Sequence, residues 1–140
     1  LDAFEDSLHD ELEGLAEVER TEWGPDLAVV DVEPYNPQSA LVTWIDMGRG
    51  LVLTVGEAQH ARWELDLSQD NLNFLEAAVR AAIDGRVSCT LSKHEDEVEI
   101  VHVDGRVEAT AGSDLWPSLL RWRRSKRHVQ YEPYALGPTG

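Results

Sequence analysis

Three features of the sequence predict an α+β fold. Apolar residues recur at three- and four-residue spacing at the N-terminus and again over residues 71–84. Between and after these stretches the pattern changes to two-residue alternation. Glycine-bearing turns join the alternating stretches over short loops. The expected architecture is antiparallel sheet in the order α-β4-α-β3, with the helices packed on one face and a Trp- and Arg-rich C-terminal tail.

In the first element, Leu1, Phe4, Leu8, Leu12 and Leu15 form a stripe, and acids fill the other faces. This predicts an amphipathic acidic helix over residues 1–22, ended by Gly24-Pro25. Four strands are expected next, over residues 27–33, 40–46, 51–55 and 60–67. The last of them alternates Ala61, Trp63, Leu65 and Leu67 against His60, Arg62, Glu64 and Asp66, the pattern of a sheet with one solvated face. Met47 to Gly50 reads as a hairpin loop because glycines supply positive φ. The second helix carries Leu72, Leu75, Val79, Ala82 and Ile83, with Ser68 or Asp70 as cap and Gly85 as the residue past its end.

Three further strands are expected, over 86–91, 98–103 and 106–111, with His94-Glu95-Asp96 as a polar turn. A two-residue turn at Asp104-Gly105 would pair His102 with Val107, Ile100 with Ala109 and Val98 with Ala111. The apolar face would then hold Val98, Ile100, His102, Val107 and Ala109. Residues 115–140 form the tail, with Trp116, Leu119, Leu120 and Trp122 expected to pack back on the body. No repeat or linker interrupts the chain, so a single domain over 1–140 is expected, with its body at 27–114.

Charge narrows the function. The chain carries 27 acids against 12 bases, a net charge of −15. The net is −8 over residues 1–22, −11 over 23–114 and +4 over 115–140. Such a field repels phosphates and attracts basic partners, so a nucleic-acid partner is not expected. The tail's five bases are expected to dock on the acidic remainder. No stretch has the roughly 20 apolar residues of a membrane span, and the acidic start is the reverse of a basic leader. The single cysteine, Cys89, fits a reducing compartment, and the expectation is cytoplasmic.

Catalytic motifs are missing. No serine lies in a G-x-S-x-G frame, and no two of the five histidines have zinc-ligand spacing. Cys89 alternates with Val87 and Leu91 and reads as a small core residue. The cluster His94, Glu95, Asp96, Glu97 and Glu99 lacks calcium-loop spacing and reads as a solvated turn. His102 is a possible acid–base group because the expected register turns it inward, although a satisfied core histidine is the plainer reading. No cofactor or metal is expected.

Residues 40–46 run through a glycine turn into 50–56, then 60–66, followed by the helix over 71–84 and the tail over 127–134. In these segments the chain resembles the small acidic immunity proteins that bacteria encode beside polymorphic toxins. The resemblance implies a non-enzymatic inhibitor that blocks the active cleft of a cognate basic toxin domain, and it carries no residue roles over. The expected contact residues come from charge and exposure instead. They are Asp6, Asp10, Glu13 and Glu17 of the first helix, Met47 and Arg49 of the hairpin loop, and His94, Glu95, Asp96 and Glu97 of the polar turn. Trp23 and Tyr35 are candidate anchors or loop plugs. A secretion chaperone or adaptor is the alternative, and an enzyme with a dispersed site near His102 or His60 is the third.

Overall fold

A computed structural model describes residues 2–58, 60–92, 95–113 and 127–135. Two helices and nine strands are present among these residues, in two antiparallel sheets. The first helix, α1 (Asp2–Glu11), is half the predicted length. Gly14 adopts φ +81° and turns the chain back, where a glycine ends a helix at little cost. Residues predicted as the helix's second half instead form β1 (Ala16–Gly24), with Ala16 and Val18 buried and Glu17 and Glu19 exposed. Leu12 and Leu15 extend the helical stripe up to this point and obscure the change of period.

The first sheet is a meander of β1, β2 (Leu27–Pro34), β3 (Val42–Asp46), β4 (Gly50–Val55) and β5 (Trp63–Asp66), in that spatial order. One register row runs Arg20, Val30, Trp44, Leu53 and Trp63. Neighbouring positions on that face, among them Val32, Val42, Leu51 and Val55, are buried. Helix α1 packs on the same face, with Phe4 stacked on Trp44 at 6.2 Å between ring centroids. Arg20 ties α1 to the sheet by pairing with Glu5 at 2.6 Å.

Helix α2 (Gln69–Ile83) begins where Ser68, one of the two caps that the sequence allows, accepts a hydrogen bond from the Asn71 backbone N–H at 3.2 Å. It touches β4 of the first sheet and β7 of the second. Arg80 of α2 also pairs with Glu11 of α1. Gly85 follows at φ +76° with the Pro133 backbone against it, leaving no space for a side chain.

The second sheet has the order β8-β7-β6-β9, built from β6 (Val87–Leu91), β7 (Glu95–Val101), β8 (Val107–Ser113) and β9 (Arg127–Gln130). Val87, Cys89, Val98 and Ile100 join the same core cluster as the first sheet's inner face. Glu95 and Asp96 lie within β7, not in a turn, and Asp96 faces inward, where it accepts from the His60 backbone N–H at 3.1 Å. The expected docking of Trp116 and Trp122 falls outside the described residues. Beyond β9, Tyr131 and Tyr134 are buried, and Tyr134 donates to the Ala40 carbonyl at 2.6 Å. Burial holds both phenols well above their ordinary range.

The β7–β8 register differs from the two-residue turn by one position. His102 N–H donates to Arg106 C=O at 2.8 Å, Gly105 N–H donates back to His102 C=O at 2.9 Å, and Gly105 has φ +89°. This is a three-residue loop with glycine in the left-handed position. Ile100 therefore pairs with Glu108 and Val98 with Thr110. A one-residue slip turns every side chain of a strand over. Val107 and Ala109 consequently point to solvent, while Glu108 faces inward beside His102.

Candidate functional sites

Of several recesses among the described residues, two combine a histidine, an aromatic ring and more than one carboxylate. The first lies beside β1, the edge strand of the first sheet, and encloses about 430 Å³. His9, Glu13, Glu17, Glu19 and Tyr35 line it. The turn between α1 and β1 forms one wall. The Tyr35 backbone N–H donates to the Leu15 carbonyl at 3.0 Å, which fixes the aromatic side chain beside the acids. Tyr35 remains 60% exposed, enough for a partner to stack on it.

The carboxylates continue across the outer face of the sheet. Glu17 sits directly opposite Glu33, and Glu19 directly opposite Asp31. Like charges in these positions oppose pairing by a few tenths of a kcal/mol, up to about 1 kcal/mol each. Asp31 is steadied by the Thr43 hydroxyl at 2.7 Å. At the far end of β1, Trp23, Leu27 and Met47 are exposed. Their loops adjoin, since a Cβ on Gly48 would lie 3.6 Å from Asp26 Cβ. Six residues of β1, roughly 20 Å at the rise of a strand, separate Trp23 from Glu17 of the acidic recess.

The expected contact residues are therefore distributed. Glu13 and Glu17 meet in the acidic recess. Asp6 and Asp10 are exposed on α1, and Met47 and Arg49 are exposed at the β3–β4 hairpin. Glu97 is exposed on the second sheet, Glu95 is half-buried, and Asp96 is buried and unable to meet a partner. His94 lies outside the described residues. Glu19 and Glu33 were not among the expected residues, because a helix continued to residue 22 gives no cross-strand neighbours.

The second recess, also about 430 Å³, opens between β5, α2 and the β7–β8 hairpin. Trp63, Phe74, Asp70, His102, Arg106 and Glu108 are among its lining residues. Phe74 meets Trp63 edge-on at 5.4 Å and lies 6.2 Å from the His102 ring. The His102 side chain is only 10% exposed, and Nε2 lies 3.2 Å from Glu108 Oε1. That distance suits an ion pair, but Nε2 makes no hydrogen bond, so the two groups are close and misaligned. At the start of α2, Ser68 and Asn71 donate to Asp66 and hold its carboxyl below the usual range.

A histidine beside a carboxylate can hold or pass a proton. Among the described residues no hydroxyl or thiol lines this cleft to act as a nucleophile. Cys89 is buried in the core with its thiol pushed up by desolvation, which suppresses the reactive thiolate. Among the described residues no group of three His, Cys, Asp or Glu side chains is placed to hold a metal ion, and no helix is long and apolar enough to cross a membrane. Comparison of the chain with family models, with curated proteins and with solved structures gives no match in any of the three.

Proposed function

We propose that this chain is a non-enzymatic acidic binding protein that holds a basic protein partner, in the manner of an immunity protein covering the active cleft of a toxin domain. The observation that carries the reading is the recess at the β1 edge, which Glu13, Glu17 and Glu19 line together with the exposed Tyr35. A carboxylate group of this kind steers a basic partner to the surface, and an exposed aromatic in the same recess supplies contact area. Glu33 and Asp31 extend the same charge over the sheet face. The exposed Trp23, Leu27 and Met47 at the other end of β1 give the partner a second, apolar foothold.

The test uses the tagged protein as bait in lysate from its source, beside a Glu13→Gln/Glu17→Gln/Glu19→Gln variant. The expected result is one stoichiometric basic protein that the wild type retains at high salt and the variant releases. Loss of about tenfold in affinity follows if the three carboxylates together contribute about 1.4 kcal/mol. Retention of the same protein by both baits, or of nothing by either, overturns the reading. The retained protein's own activity then separates an inhibitor from a secretion adaptor.

A further inference from the structure

We propose that the cleft between β5, α2 and the β7–β8 hairpin is a binding site for a guanidinium group, seated between the His102 imidazole and the Glu108 carboxylate. The inference is independent of the acidic recess. It begins from an unpaired ring nitrogen. His102 Nε2 is buried without a hydrogen-bond partner, on a side chain nine-tenths out of solvent. The nearest polar atom is Glu108 Oε1 at 3.2 Å. In the neutral tautomer with its proton on Nδ1, Nε2 presents a lone pair, and two acceptors then face each other. A buried acceptor left unsatisfied is costly, and one N–H donor group placed between the two would satisfy both.

The surroundings fit a planar cation. Phe74 and Trp63 supply ring faces and edges beside the imidazole, and a guanidinium stacks on such faces while donating in its own plane. Asp70 adds a second carboxylate at the cleft. Asn71 gives its amide N–H₂ to Asp66 at 2.8 Å, which leaves the amide oxygen as a further acceptor. Arg106, the basic group at the mouth, has a side chain 65% exposed and leans toward Asp104, with 4.0 Å between Nε and Oδ2. Glu108 is 38% exposed on an edge strand, so its side chain can turn aside to admit the donor. The net charge of −15 concentrates cations near the molecule.

The experiment follows the imidazole and indole resonances of the full chain by NMR at a pH of about 8, where an ordinary histidine is neutral. The probe is N-acetyl-arginine methylamide, and its uncharged counterpart is the citrulline analogue. Acetate tests the cleft as an anion site. The arginine probe is expected to shift His102 and Trp63 together, with a saturating curve and a dissociation constant on the order of millimolar. Glu108→Gln should weaken it about tenfold, and the more exposed Asp70→Asn should weaken it less. The triple glutamine variant at Glu13, Glu17 and Glu19 should bind the probe as the wild type does. Equal shifts from the citrulline probe, saturation by acetate instead, or unsaturated shifts shared by every histidine would each overturn the assignment.

Discussion

The recess at the β1 edge and the cleft below the β7–β8 hairpin enclose the same volume but are built from different material. The first is lined by exposed carboxylates on an edge strand and the turn before it. The second is walled by aromatic rings around a nine-tenths buried imidazole. Exposed charges act over about a Debye length, roughly 8–10 Å at physiological salt, and they recruit by sign. A buried imidazole acts only on what touches it and recognises by hydrogen-bond geometry. If both proposals hold, one small fold separates recruitment from recognition, provided that the two walls do not share supports.

The largest expected effect comes from breaking a support of the cleft alone. Gly112 of β8 lies against the backbone of His60, and a Cβ there would overlap the His60 carbonyl oxygen. The same crossing is fastened by the Thr110 hydroxyl, which donates to the Arg62 carbonyl at 2.9 Å and leads into Trp63. Gly112→Ala should destabilise the protein by about 1–3 kcal/mol, as over-packing against backbone does. Denaturant unfolding gives the value. The NMR response of His102 to the arginine probe should fall with it, while partner capture by the folded fraction should persist. Loss of both together would show that the two recesses share one wall.

An effect of similar size near neutral pH, and smaller in acid, is expected at the support of the acidic side. Arg20 reaches Glu5 of α1 at 2.6 Å and Asp46 of β3 at 3.6 Å, so it holds the helix against the sheet. The Glu5 carboxyl is raised above its ordinary 4.5 because burial outweighs the attraction and hydrogen bond of Arg20. A raised carboxyl favours the folded state below 4.5, and that contribution is lost as the pH rises through the folded value. Arg20→Met removes both lowering influences and raises Glu5 further. The variant should lose about 1–3 kcal/mol near neutral pH, from a carboxylate left without its donor, and less at a pH of about 4. Unfolding midpoints at the two pH values check the sign. An equal loss at both would mean that Arg20 acts only by packing.

The sequence made one of these regions easier to read than the other, for local reasons. The stripe of α2 survives whole, while the alternation over residues 60–67 survives in part, with a strand only at Trp63–Asp66 and Leu67 exposed. The β1 edge was hidden because Leu12 and Leu15 carry the helical spacing past the end of α1, and Gly14, in the left-handed region, is the only local sign of the break. The cleft was half legible. The alternation of β7 turns His102 inward whatever the turn, but the partner depends on loop length. Asp104-Gly105 suits a two-residue turn and a three-residue loop alike, and only the second brings in Glu108. Trp63 is visible as an inward residue of its strand, but Phe74 stands outside the stripe of Leu72, Leu75, Val79, Ala82 and Ile83, and nothing local shows that the two rings meet.

The smallest stability effect separates binding from folding most sharply. Glu17 faces Glu33 across β1 and β2 on the solvent side. If the pair served the fold alone, opposite charges would serve it better. Glu17→Lys converts the repulsion into an attraction and should raise stability by about 0.2–1 kcal/mol, read from the denaturant midpoint at low salt. The same change places a cation in the recess with Glu13 and Glu19, so a basic partner should associate more slowly, with the largest deficit at low salt. The two signs are opposite, and screening by salt should shrink both. A variant that is less stable would contradict the paired positions of Glu17 and Glu33. A more stable variant with undiminished association would assign the repulsion no binding role and move the partner's contact to the Trp23, Leu27 and Met47 end of the sheet.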